Sequence, residues 1–322
     1  MGDILSRRGF LKGASALAAA TASSTVLSNR FHHHDHHDHP SLRFAFITDA
    51  HVTQSKHSPE GFAKCLHMLQ DHHHAPTMIV NGGDSIFDAC SHNASDVKSQ
   101  WKLFHSVYHQ NCSLPVVHTI GNHDIWGWDK RVCQASGLEA HYGKKWAIDE
   151  LGIPHRYYSF DRGGWHFIVL DSIQQGGTPA GYIAKLDDEQ FVWLERDLAA
   201  TPLTTPVIVI SHAPIVSACA LFRPHSETAK DIRVPGNWMH IDARKLKDLF
   251  LKYPNVKICM AGHEHLHGRV DYNGVHYFCG GAVCGSWWDG PYQETAPGFA
   301  MVDLYANGSF HAKYLPWGWA AA

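Results

Sequence analysis

The stretch Leu42-Arg43-Phe44-Ala45-Phe46-Ile47-Thr48-Asp49-Ala50-His51 is an apolar, β-prone run that stops on an aspartate and a histidine. The pattern recurs four more times. Residues 77–80 lead into Asn81-Gly82-Gly83-Asp84, and residues 116–120 into Gly121-Asn122-His123-Asp124. Residues 207–210 lead into Ser211-His212, and residues 256–260 into Ala261-Gly262-His263-Glu264-His265. Short continuous apolar runs are what strands buried on both faces look like. Helical periods over about residues 59–74, 95–110, 187–200 and 240–252 lie between them, so the order is strand-helix-strand and the fold class is α/β. Ligands of open α/β sheets collect beyond the carboxyl ends of the strands, where this chain sets Asp, Asn or His after every run. Gly82, Gly83, Gly121 and Gly262 are read as the points where the backbone turns sharply to aim the next side chain into that crevice.

Composition agrees with one catalytic-sized globular domain. Of 322 residues, 44% are hydrophobic and 18% charged, which excludes disorder, collagen and coiled coil. The formal net charge is −3 and there is no basic block, so no nucleic-acid polymer is expected as a partner. The abnormal figure is 28 histidines, an excess that points to metal. Asp49, His51, Asp84, Asn122, His212, His263 and His265 together offer two carboxylates, an amide oxygen, four imidazoles and no thiolate. Such a set suits Mn, Fe, Zn or Co rather than Ca or Cu. It exceeds what one tetrahedral ion can use, whereas two ions sharing one carboxylate would use all of it. Two cations roughly 3.5–4 Å apart clamp phosphoryl oxygens and activate a hydroxide for in-line attack, so phosphoester hydrolysis is the natural reaction class.

Asp-x-His, Gly-Asp, Gly-Asn-His-Asp, a lone His and Gly-His-x-His, in this order over residues 42–268, resemble the calcineurin-like metallophosphoesterases. The resemblance implies a four-layer α/β/β/α sandwich with a dinuclear site at the carboxyl ends of the strands. By position it assigns Asp49, His51 and His265 to a first metal, Asn122, His212 and His263 to a second, and Asp84 to both. It makes His123 the general acid that protonates the leaving oxygen while a metal-bridging hydroxide attacks phosphorus. Purple acid phosphatases carry a metal-binding Tyr three residues after the shared Asp, and many other members carry an Asp there. Here the position is Phe87, which has no ligand atom, and the nearest carboxylate is Asp88, one residue later. Glu264 is read as a spacer, and Asp124 as either a support for the metal ligands or a helix N-cap.

Residues 1–28 resemble a twin-arginine signal peptide, with Ser6-Arg7-Arg8-Gly9-Phe10-Leu11-Lys12 ahead of a short apolar stretch over residues 14–26 and small residues near Ala20-Thr21-Ala22. The stretch falls below the roughly 18 apolar residues of a membrane span. The expected partner is therefore the twin-arginine export machinery, and the expected location is periplasmic or secreted. Residues 29–40, with Phe31-His32-His33-His34-Asp35-His36-His37-Asp38-His39-Pro40, read as a metal-chelating linker, and residues 41–322 as the metallophosphoesterase domain. His72-His73-His74 reads as a solvated helix end. Eight cysteines without a zinc spacing are expected to be small core residues, with one or two disulfides permitted outside the cytoplasm.

Two segments after strand ends are expected to shape the substrate cavity: residues 125–158 with Trp126 and Trp128, and residues 213–238 with Arg223, His225 and Arg233. The tail, with Gly285-Ser286-Trp287-Trp288-Asp289-Gly290 and strand-like residues 298–305 and 309–315, is expected to complete a second sheet. The favoured function is an exported metal-dependent phosphodiesterase of small phosphoesters, cyclic nucleotides being one candidate. The alternatives are a phosphomonoesterase or nucleotidase, and a metal-sequestering envelope protein whose His tract is the working part.

Overall fold

A computed structural model of the chain describes residues 39–71, 75–176, 181–223, 227–228 and 230–319. The twin-arginine motif, the His tract up to Asp38, His72-His73-His74 and His225 lie outside the described residues. In chain order the elements are β1 (Leu42–Ile47), α1 (Ser58–Gln70), β2 (Met78–Asn81), α2 (Ala94–Asn111), β3 (Val116–His118), α3 (Lys130–Cys133) and α4 (Lys144–Leu151). The middle of the chain forms β4 (Tyr158–Arg162), β5 (Trp165–Val169), β6 (Ile173–Gln175), β7 (Tyr182–Ala184), α5 (Asp188–Ala200) and β8 (Val207–Ile210). The last elements are α6 (Ala243–Lys252), β9 (Val256–Ala261), β10 (His267–Tyr272), β11 (Val275–Gly280), β12 (Gly298–Leu304) and β13 (Phe310–Pro316).

Two of the longer helices, α2 and α5, start where the sequence supplies a side-chain cap. Asn93 accepts from the Ser95 and Asp96 amides ahead of α2, and Asp187 accepts from the Gln190 amide ahead of α5. The strands assemble into two main sheets, ordered β13-β12-β1-β2-β3 and β10-β11-β9-β8-β5-β4, with β6 and β7 as a separate hairpin. Strand alternation then builds the layers. Phe44, Phe46, Met78 and Val80 of the first sheet meet Phe167, Val169, Ile208, Ile210, Ile258 and Met260 of the second in one buried cluster between the sheets. The opposite faces are covered by helices: Ala45, Ile47 and Ile79 pack on α1 and α2, while Ile168, Val207 and Val209 pack on α5 and α6. The result is the expected four-layer α/β/β/α sandwich.

The tail departs from expectation. β12 pairs antiparallel with β1, in register Phe44 to Val302, so the tail completes the first sheet and not a second one. The second sheet is completed by the hairpins β4/β5 and β10/β11. Their edge strands Tyr-Ser-Phe-Asp-Arg and His-Gly-Arg-Val-Asp-Tyr are polar and partly exposed, which hides them from a search for apolar runs.

Candidate metal centre

β1, β2, β8 and β9 and the 3-10 turn Asn122–Asp124 after β3 place the seven expected ligands and His123 at one edge of the sandwich. Asp49, His51 and Asp84 bring one donor atom each within 4.8 Å of one another, and so do Asp84, His212 and His263. Asp84 belongs to both groups. Its Oδ2 stands 3.5 Å from His51 Nε2 and 3.2 Å from His212 Nε2. On one side His265 Nε2 is 3.3 Å and His51 Nε2 3.9 Å from Asp49 Oδ1. On the other, His212 Nε2 is 3.0 Å from Asn122 Oδ1 and 3.2 Å from His263 Nδ1.

The four imidazoles share one orientation rule. Each points one ring nitrogen at a backbone carbonyl: His51 Nδ1 at Phe87 O (3.1 Å), His212 Nδ1 at Gly82 O (2.8 Å), His263 Nε2 at Asn237 O (2.8 Å) and His265 Nδ1 at Gly285 O (2.6 Å). A carbonyl can only accept, so that nitrogen carries the proton and a neutral ring turns its lone pair inward. With all four rings neutral, four buried lone pairs and two carboxylates would face one another, and His51 Nε2 has no hydrogen-bond partner. Such a set is unfavourable until cations enter it, and outward N–H bonds of this kind are the normal support of metal-binding histidines. The donor set therefore fits the divalent ions inferred from sequence.

Backbone strain marks the same residues. Asp49, His51, Asp84, His263 and His265 all adopt positive φ, between 42° and 71°, a conformation that non-glycine residues seldom hold. The turning expected of the glycines is carried by the ligands themselves: of Gly82, Gly83, Gly121 and Gly262, only Gly83 has positive φ. Glycine supplies room. A Cβ on Gly121 would lie 2.0 Å from Asp84 Oδ1, and one on Gly262 2.3 Å from Asp49 Oδ2.

Burial works against charge on Asp49 and Asp84, yet the surrounding imidazoles hold both carboxyls below the usual carboxylate range. Asp124 takes the supporting role and not that of an N-cap, a place held by Gly121 ahead of the 3-10 turn. It closes the 3-10 turn on the Gly121 amide, and its carboxylate also accepts from the Asp84 and Ser85 amides at 2.9 and 2.8 Å. The Asp84 loop is thereby pinned to the Asn122 turn.

His123 borders this centre, its amide donating to Asp84 Oδ1 at 2.8 Å. Its Nδ1 lies 3.0 Å from Asp88 Oδ1, so the carboxylate one residue late in sequence still reaches the ring. Burial works against the imidazolium, but Asp84 and Asp88 overcome it and raise His123 above its ordinary value.

A cavity of about 380 Å³ opens over the centre. His123, Tyr182, Arg223, Trp238, Trp287 and Tyr292 line it. The Trp287 ring lies 3.9 Å from that of His51 and 5.0 Å from that of His123. The Arg223 guanidinium lies 5.1 Å above Trp238. Of the residues expected here, Trp126 is instead buried against Trp146, Trp128 sits beneath Lys144, and Arg233 is exposed beside Asp231. Trp287, Tyr182 and Tyr292 were missed. The one available signal was a Trp pair between Gly285 and Gly290, where Trp287 and Trp288 both take positive φ and Trp288 Nε1 donates to His51 O.

Glu264 is more than a spacer. It is fully buried, its Oε2 accepts from Ser217 Oγ at 2.5 Å, and burial pushes its carboxyl up to about 8. All eight cysteines are free thiols, so no disulfide is formed. Among the described residues no helix is long and apolar enough to cross a membrane.

Comparison with known proteins agrees with this geometry. The chain is 27% identical over 283 residues to the 3',5'-cyclic adenosine monophosphate phosphodiesterase CpdA of Escherichia coli, covering 83% of this chain and 87% of that one. It is 27% identical over 171 residues to a 3',5'-cyclic-nucleotide phosphodiesterase of Nostoc, covering 52% and 58%. A dimetal phosphatase from Danio rerio shares the fold, with a TM-score of 0.59 at 15% identity over 88% of this chain and 100% of that one. Residues 42–267 match the calcineurin-like phosphoesterase model, and the chain belongs to that family of metal-dependent phosphoesterases.

Proposed function

We propose that the protein is a phosphodiesterase of small phosphoesters, cyclic nucleotides foremost, with His123 as its general acid. The observation that carries this reading is the convergence of four inward-facing imidazole lone pairs on Asp49 and Asp84 beside a cavity-lining His123. Asp49, His51 and His265 would hold one ion, Asn122, His212 and His263 another, and Asp84 both; Mn, Fe and Zn all suit these donors. When bound, such ions supply Lewis acidity and neutralise charge on the phosphoryl oxygens.

The chain's own residues do the rest. The Nδ1–H of His123 is taken up by Asp88, which leaves the second imidazolium proton on Nε2, where the leaving oxygen can receive it. Arg223, held over Trp238, gives the cavity a fixed positive group for an anionic substrate. Trp287 offers an apolar face beside the reacting centre, suited to a nucleobase. The likeness to CpdA over most of both chains supports the diester reading.

The test is hydrolysis of 3',5'-cyclic AMP, bis(p-nitrophenyl) phosphate and p-nitrophenyl phosphate by the Mn-reconstituted chain. Diester turnover exceeding monoester turnover is expected; the reverse order makes the protein a phosphomonoesterase. Turnover of none, with function lost on deleting residues 31–39, makes it a metal-sequestering protein. Export by the twin-arginine route is proposed on Arg7 and Arg8. Changing both to Lys should leave the unprocessed chain in the cytoplasm, and unchanged export would refute that route.

A further inference from the structure

Cys219, Glu264 and Cys279 form a group of donors that the reading above does not use. Their two sulfurs and one carboxylate oxygen all lie within 4.8 Å of one another. They come from three separate pieces of chain: the turn Cys219–Phe222 after β8, the loop after β9, and β11. All three are buried, with 6%, 0% and 2% of their surfaces exposed. Glu264 Oε2 takes hydrogen bonds from Ser217 Oγ at 2.5 Å and Cys279 Sγ at 3.0 Å, while Oε1 is buried with no hydrogen-bond partner. Across from them, a Cβ on Gly268 would come within 2.6 Å of Cys219 Sγ, so bare backbone leaves the sulfur its room.

We propose that Cys219, Glu264 and Cys279 bind a third cation, a divalent ion of the zinc class, which clamps the loop presenting His263 and His265. A tetrahedral zinc with Zn–S of about 2.3 Å and Zn–O of about 2.0–2.2 Å sets its donors roughly 3.5–3.8 Å apart. The three donors lie within 4.8 Å of one another, and Cys279 Sγ gives up its 3.0 Å hydrogen bond to Glu264 Oε2 to open that span. Ser217 Oγ, 3.1 Å from Cys279 Sγ, or a water completes the four. Thiolates select zinc over manganese, so this site would differ in preference from the thiolate-free centre beside it. Binding releases to solvent the two thiol protons and the proton that the buried Glu264 carboxyl holds below about pH 8, and gives the unpartnered Glu264 oxygen a positive neighbour. The three pieces of chain that converge on Glu264 are then joined by one ion, fixing the two flanking histidines.

The probe is Co²⁺ titrated into the full-length chain after chelator treatment, read as thiolate-to-cobalt absorption in the near ultraviolet. The His tract has no cysteine and cannot produce that signal. The wild type should give the band, Cys284→Ser should retain it, and Cys219→Ser/Cys279→Ser should lose all of it. Glu264→Gln should weaken the affinity behind it by about 10-fold or more. Absence of the band, or its survival in the double variant, overturns the proposal. A wild-type measurement covers the case of a variant that does not fold: zinc-edge X-ray absorption should show a sulfur shell at about 2.3 Å. A shell of nitrogen and oxygen alone, or a Cys219–Cys279 disulfide found by mass mapping, overturns it as well.

Discussion

The floor of the cavity, where Asp49, His51, Asp84, Asn122, His212, His263 and His265 meet, is made from strand ends. Most of its wall, including Arg223, Trp238, Trp287 and Tyr292, comes from the loops, with Tyr182 on a short hairpin. The floor is over-determined: each imidazole is tied to a carbonyl, five of the seven residues hold positive φ, and Asp124 pins two of the loops together. The wall has looser ties, such as Arg223 over Trp238. Catalytic power should therefore reside in the floor and substrate choice in the wall.

The largest expected effect is on the floor. Asp84→Asn removes the carboxylate common to both donor groups, and diester turnover should fall about 10³-fold or more, roughly 4 kcal/mol of barrier. Metal content should fall with it; turnover within tenfold of wild type would break the division. His123→Ala should cost about 10²–10⁴-fold on a cyclic nucleotide and much less on bis(p-nitrophenyl) phosphate, whose leaving group needs no proton. Equal losses on both substrates would deny His123 the acid's role. Asp88→Asn should cost about tenfold and shift the pH profile of kcat, because the His123 ring loses its anchor.

On the wall, Trp287→Ala should leave bound metal and turnover of the synthetic diester nearly intact while raising KM for a nucleotide. A stacked base is worth about 1–3 kcal/mol, or roughly 5- to 150-fold in KM. A collapse of kcat instead would place Trp287 with the floor.

The smallest effect lies away from both, at His166, whose two ring nitrogens are 2.6 Å from Asp161 Oδ1 and 2.9 Å from Asp197 Oδ2. Burial works against its imidazolium, but the hydrogen bonds to Asp197 and Asp161 raise it above the ordinary histidine value. Its contribution is therefore full below about pH 6 and lost as pH rises through the raised value. Asp197→Asn should cost about 0.5–1 kcal/mol of stability in urea melts at pH 5.5 and little at pH 9, with diester turnover unchanged. An equal cost at both pH values would show that the ion pair contributes nothing.

The same contrast explains what the sequence could reveal. A ligand at a strand end is legible because two local facts coincide, an apolar run that must be a strand and an Asp or His that ends it. Asp88 was harder, since a one-residue offset reads as a mismatch and only the loop's path through Phe87 restores its reach to His123. Trp287 and Tyr292 follow no period; Trp287 faces His51 and His123, more than 100 residues away in sequence, and Tyr292 faces His265 across the β10/β11 hairpin, so nothing local announces them. The sheet that the tail joins is hidden in the sequence for a related reason. The pairing of β12 with β1 joins opposite ends of the chain, while the polar edge strands that complete the other sheet looked like loops.

The central claim is that one floor holds two ions around Asp84, and an anomalous difference map from crystals grown with Mn²⁺ tests it most directly. Two peaks about 3.5–4 Å apart, one among Asp49, His51 and His265 and the other among Asn122, His212 and His263, with Asp84 between them, are the predicted result. A single peak, or none among these residues, would contradict it.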